Sequence, residues 1–256
     1  MKKSFQAATL TLAATVLLAA CGGGGGGGAA DSGTGGGSTT PVTPVTPPSS
    51  TAAALTGRWV NDQGAWVARW LAPAQGESQS PVWLLSTDGK RLAYLTAKVD
   101  SNSVVTASGT TFNLDPANSS TSAVSWTGSY NAQQAKVTFA DGSSMTRDVP
   151  QSLAIQSEAT GVWTTSLGNA LLDVTFTIDS QGVLTGSSTT GCTYAGAVVV
   201  RPESFVYDAR FTEVCPDKTQ VLLNGIATLS ASKQNLTFTT MTADRLYAKA
   251  LFFGKP

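Results

Sequence analysis

The chain has 256 residues, 16 Lys and Arg against 16 Asp and Glu, and no histidine. The missing histidine excludes Ser-His-Asp and Cys-His nucleophile systems, histidine zinc sites and histidine proton shuttles. Balanced charge without a basic patch argues against nucleic acid as a partner, and with charged residues at only 12% the polar surface falls to Ser and Thr, a composition that suits β-strands.

Residues 1–20 have the build of an export signal. Lys2 and Lys3 give a positive start, and Ala7 to Ala20 form an apolar stretch of fourteen residues, short of the ~20 that cross a bilayer as a helix. Ala19 and Ala20 lead directly into Cys21, and Leu18-Ala19-Ala20-Cys21 resembles the bacterial lipobox. That resemblance implies cleavage before Cys21, acylation of its thiol and amino group, and a membrane partner reached through lipid. One acyl chain anchors only marginally, at about 0.8 kcal/mol per buried methylene; the three chains of such lipoproteins hold far more firmly. Gly22 stands where enterobacterial inner-membrane lipoproteins carry Asp, so the resemblance implies an outer-membrane location.

From residue 21 to 52 the composition is Gly, Ser, Thr and Pro, with seven glycines directly after Cys21 and PVTPVTPPSS near the end. No apolar spacing there can bury a core, and the stretch is expected to be a disordered tether, flexible in its glycine part and extended in its proline part. Thirty such residues span roughly 30 Å root-mean-square. About 205 residues remain beyond it, enough for one large or two small domains.

An internal repeat favours two. Thr56-Gly57-Arg58-Trp59 recurs as Thr160-Gly161-Val162-Trp163, and the second copy follows Pro150-Gln151-Ser152, where the first run of strands ends. The expected domains are a Trp-rich β unit over 53–152 and a second β unit over 153–256.

In the first unit the strand-like runs are 65–72, 82–87, 91–99, 104–108, 111–114, 123–130 and 135–141, the last meeting an Asp141-Gly142 turn that suits a hairpin. Five of the six tryptophans lie here, at 59, 66, 70, 83 and 126. On a strand Trp66, Ala68 and Trp70 share one face. Trp59, Trp66, Trp70 and Trp83 are the candidate ligand or partner surface; the plainer alternative is that these rings fill a small barrel or cover its end.

The second unit reads as strands at 161–163, 173–178, 183–188, 192–200, 205–212, 221–230, 236–241 and 245–253. Short strands at regular spacing, with no helical periodicity, argue for an all-β fold of two antiparallel units of about eight strands each, up-and-down barrels of lipocalin-like type or sandwiches. Phe176, Tyr194, Phe205, Tyr207, Phe211, Phe238 and Phe252 are expected to fill the second unit. A hairpin turning at 201–204 pairs positions whose numbers sum to about 407, which sets Cys192 opposite Cys215 and predicts a disulfide in an oxidising compartment.

The chain from Cys21 to Pro256 is similar to a group of predicted bacterial lipoproteins with a glycine-rich tether and two β units that each open on Gly-x-Trp. The second unit of that group carries Gly-Cys-x-aromatic-x-Gly, here Gly191 to Gly196, and a later paired cysteine. The resemblance implies architecture and no activity.

Asp100, Asp115, Asp148, Asp173 and Asp179 are the carboxylates from which a glycosidase pair would have to come, and nothing in the sequence sets two across one cleft. No cofactor, metal or nucleotide motif is present. The expected function is therefore non-enzymatic: a lipid-anchored outer-membrane protein, on the periplasmic face or the cell surface, that binds an envelope or surface protein or glycan. The alternatives are a lipocalin-like carrier of a small apolar ligand, favoured by a large lined cavity, and a carboxylate-based glycan hydrolase.

Overall fold

The computed structural model describes residues 53–148, 151–165 and 173–256. The export signal, Cys21 and the tether over 21–52 lie outside the described residues.

Alternation of apolar and polar residues, interrupted by Asp- and Gly-bearing turns, builds sixteen strands among the described residues. The first eight are β1 (Gly57–Asn61), β2 (Trp66–Trp70), β3 (Ser80–Ser86), β4 (Arg91–Val99), β5 (Val104–Asn113), β6 (Ser120–Asn131), β7 (Lys136–Phe139) and β8 (Ser144–Arg147). Each pairs antiparallel with the next and β8 returns to β1 through Val60↔Thr146, closing an up-and-down barrel without a free edge.

The second barrel repeats the plan with β9 (Gly161–Thr164), β10 (Val174–Ile178), β11 (Val183–Ser188), β12 (Thr193–Val200), β13 (Tyr207–Val214), β14 (Gln220–Leu229), β15 (Asn235–Met241) and β16 (Ala248–Gly254). It closes where Gly254 of β16 pairs with Thr164 of β9.

The β12–β13 ladder runs from Thr193↔Val214 to Val200↔Tyr207, the register read from the sequence, and the Cys192–Cys215 disulfide sits at its end with the two Cα atoms 4.0 Å apart. Three expectations fail in detail, two of them within single strands. Residues 104–108 and 111–114 belong to one strand, β5, running straight through Gly109; a Cβ there would lie 2.0 Å from the Tyr94 carbonyl oxygen, so the glycine admits close approach of β4 rather than breaking the strand. In β16 it is Phe253 that enters the core, while Phe252 points outward and is 41% exposed.

Three apolar clusters hold the molecule. One fills each barrel; the third lies between them, where Trp83, Leu92 and Phe112 from the outside of the first barrel pack with Val206, Ile226 and Ala248 of the second. Phe205 joins this third cluster and not, as expected, the interior of the second barrel. The Arg245 guanidinium lies 5.0 Å from the Tyr94 ring centroid and ties the same faces together.

Candidate functional site

The repeated Thr-Gly-x-Trp is a device for starting a barrel. Before β1 a 3-10 turn, Ala53–Leu55, plugs the barrel end; before β9 a four-residue helix, Gln156–Ala159, does the same. Gly57 (φ 147°) and Gly161 (φ 131°) then turn the chain through a conformation that disfavours a side chain and send it into the first strand. Two residues on, the tryptophan points inward, fully buried in both copies. Its indole N–H donates back to the plug: Trp59 to the Leu55 carbonyl at 2.8 Å and Trp163 to the Ala159 carbonyl at 2.7 Å. A cation covers each ring, Arg147 at 5.1 Å from the Trp59 centroid and Lys255 at 5.0 Å from that of Trp163.

Beyond this shared start the two interiors differ. In the second barrel Phe176 stands among four other rings, with centroids at 4.6 Å to Phe253, 5.1 Å to Tyr194, 5.5 Å to Phe238 and 5.6 Å to Phe211. These rings fill the lumen. Its rim is closed by Glu213, which accepts from the Tyr194 hydroxyl at 2.8 Å and from the Lys249 ammonium at 2.6 Å. Burial pushes the Tyr194 phenol above the usual range, and the neighbouring Glu213 adds to it. Tyr207 is pushed up to about 12, by burial first. Cys192, Cys215 and Glu213 come together as a metal site would require, but the two sulfurs are joined in the disulfide and the carboxylate holds Lys249, so the group staples the barrel mouth.

The first barrel is filled from one end only. At the plugged end Trp59 lies 6.0 Å from Trp70 and 6.2 Å from Tyr130, beneath Leu55. Towards the other end Trp66, Trp126 and Phe139 are only partly buried and line an open space, while the inward alanines at 68, 93, 97 and 107 belong to the buried core. A cavity of about 420 Å³ opens there, within the range of small-molecule sites. Trp66, Leu84, Trp126, Phe139 and Met145 supply its apolar wall, and Asn61, Gln63, Asp141, Ser143 and Ser144 its polar rim. Trp126 meets Phe139 edge-on at 5.7 Å. The Asn61 side chain accepts from the Trp66 backbone N–H at 2.8 Å, fixing the β1–β2 turn at the rim. Hydrogen bonds from the Ser143 hydroxyl and backbone N–H hold the Asp141 carboxyl below the usual carboxylate range, so the rim carries a negative charge near neutrality. Asp62, one position beyond Asn61, accepts from Ser144 and Lys136 and is lowered in the same way.

The four candidate tryptophans therefore separate. Trp59 and Trp70 are buried at the plugged end and present no face to an outside partner, while Trp83 is buried between the barrels and reaches only the edge of a cleft there. Trp66 alone of the four lines the cavity. Its companions Trp126, Phe139 and Met145 come from β6, β7 and β8, which face β2 only because the sheet closes. The alternation of Val124, Trp126, Gly128 and Tyr130 is the signal by which an inward face of β6 can be found in the sequence, but it does not tell which other face it meets.

The carboxylates are used in turns. Asp88, Asp100, Asp115, Asp141, Asp179, Asp217 and Asp244 each accept from the backbone N–H two residues on. Asp148 pairs with Arg58. Asp100 and Asp115 flank opposite ends of β5, and Asp173 and Asp179 opposite ends of β10, strands far longer than the ~5–9.5 Å between glycosidase carboxyl groups.

No protein-family model matches the chain, and no curated protein matches it. Among solved structures it is similar to Aeromonas veronii immune modulator A, with a TM-score of 0.35 and 15% identity over 78% of this chain and 94% of that one.

Proposed function

We propose that the protein is a lipid-anchored, non-enzymatic binding protein of the bacterial outer membrane, and that its first barrel holds the ligand. A lined cavity by itself also suits a carrier; the observation that carries this reading is the rim of amide, hydroxyl and carboxylate groups set beside the indoles of the cavity of about 420 Å³. Such a lining favours an amphipathic guest, with an apolar face to lie on Trp66 and Trp126 and a polar edge to meet Asn61, Gln63 and Ser143. The end of a glycan chain has that character. The lipobox resemblance at Leu18 to Cys21 supports the anchor, and the Gly-rich stretch after it supports a tether that frees the barrels from the headgroups. The use of the carboxylates in turns and ion pairs, together with a sequence lacking histidine, supports binding over catalysis.

A second reading, a carrier of a small apolar ligand, is favoured by Leu84, Phe139 and Met145 on the same wall. Titration of the full chain with N-acetylglucosamine oligomers and, separately, with laurate, followed by tryptophan fluorescence, distinguishes the two. Saturable binding of the oligomers, weakened about tenfold or more by Trp66→Ala and by Trp126→Ala, is the expected result. Binding of laurate alone selects the carrier; binding of either probe that ignores both substitutions removes the site from the first barrel. For the anchor, Cys21→Ser is expected to release the protein from the membrane fraction, and unchanged fractionation with no lipid mass on the N-terminus would contradict it.

A further inference from the structure

A second cleft, of about 210 Å³, lies between the barrels. One side is the outer face of β1, β2 and β3, with Arg58, Arg69, Val67, Trp83 and Leu85; the other is the outer face of β14, β15 and β16, with Thr228, Thr237, Thr239 and Phe252. Arg58 and Arg69 are direct cross-strand partners in the β1–β2 ladder. Like charges set directly opposite one another destabilise a sheet, and burial sharpens the repulsion. Asp148 pairs with Arg58. Among the described residues the Arg69 guanidinium has neither an ion-pair nor a hydrogen-bond partner, although it lines the cleft and is half-buried against apolar side chains.

We infer that this cleft is a binding site for a small oxyanion, a carboxylate or phosphate group held by Arg69 on one side, with Arg58, itself paired to Asp148, beside it, and by the hydroxyls of Thr228, Thr237 and Thr239 on the other. The guanidinium fork matches two oxygens of such a group. Hydroxyls of three threonines can donate to the remaining oxygens. Thr228 and Thr237 are themselves cross-strand partners, and Thr239 follows on the same face of β15, so the three form one polar patch in an otherwise apolar surface. The volume exceeds the roughly 30 Å³ of a single water several-fold, leaving room for an organic substituent against Trp83, Leu85 and Phe252. Burial first, and the neighbouring Arg58 second, bring the Arg69 guanidinium down to about 9, the direction expected of a cation held without its counter-charge.

The test is isothermal titration of the full chain with inorganic phosphate and with benzoate, at constant ionic strength, against Arg69→Gln, Thr239→Val and the exposed control Lys90→Gln. Wild-type protein is expected to bind at least one of the two anions saturably. Arg69→Gln should weaken that binding about ten- to a hundredfold, Thr239→Val by less, and Lys90→Gln not at all. Phosphate alone selects a tetrahedral guest and benzoate alone a carboxylate with an apolar body. A thermal melt gives an independent reading: without anion Arg69→Gln should match or exceed the wild-type midpoint, and saturating anion should raise only the wild type. Equal binding by wild type and Arg69→Gln, an equal loss in Lys90→Gln, or no binding of either anion overturns the proposal.

Discussion

The two barrels share strand number, topology, entry device and even the cation over the entry tryptophan, yet one is solid and the other is open. The difference lies in which residues occupy the inward positions. Four rings meet around Phe176 in the second barrel, and a disulfide and a Tyr194–Glu213–Lys249 group close its rim. In the first, Trp59, Trp70 and Tyr130 pack one end, and the partly buried Trp66, Trp126 and Phe139 line an open space at the other. A closed eight-stranded sheet thus fixes a lumen whose content can be set residue by residue, and here one copy is spent on packing and the other on a cavity.

The largest expected effect that separates them is Phe176→Ala. Removing the centre of a packed ring cluster should cost about 3–5 kcal/mol, whereas Trp126→Ala, which enlarges a space already open, should cost about 1 kcal/mol. Denaturant unfolding with hydrogen exchange resolved by strand checks this; equal costs would mean that the first barrel is packed as tightly as the second. Next, reducing Cys192–Cys215 should remove about 3 kcal/mol from the second barrel, leaving exchange in β1–β8 nearly unchanged. Loss of protection in both barrels together would show that the cluster between them makes one cooperative unit.

The smallest effects concern what the barrels share. Arg147→Ala should cost more than Lys255→Ala, because Arg147 both covers Trp59 and donates to the Ala54 carbonyl, while Lys255 is expected to contribute about 0.5–1 kcal/mol through its ring contact alone. Melting temperatures of the two variants give the order, and the reverse order would make the two entry devices inequivalent in a way their geometry does not suggest.

Much of this architecture is legible in the sequence, and the failures have physical causes. The β12–β13 register follows from hairpin symmetry, because a short turn leaves the pairing little freedom. The phase of β16 does not, since Phe252 and Phe253 are adjacent rings and alternation cannot say which enters the core. The strand β8 carries only Ser144 to Arg147, with no apolar alternation to announce it; its conformation comes from pairing on both sides, with β7 and β1. Trp66 could be nominated from its own strand. Its meeting with Trp126, Phe139 and Met145 is a product of closure and lies beyond any local pattern. Trp83 is indistinguishable from the other tryptophans in the sequence because a strand has two faces, and only the presence of a second barrel makes its outward face an interior.

The 3-10 plug at Ala53–Leu55 has a consequence for access. It caps Trp59 at the filled end of the first barrel, so the described chain enters that barrel opposite the opening framed by Trp66 and Phe139. Chain entry and aperture thus stand at opposite ends of the first barrel, and a guest entering between Trp66 and Phe139 meets the cavity without crossing the plug.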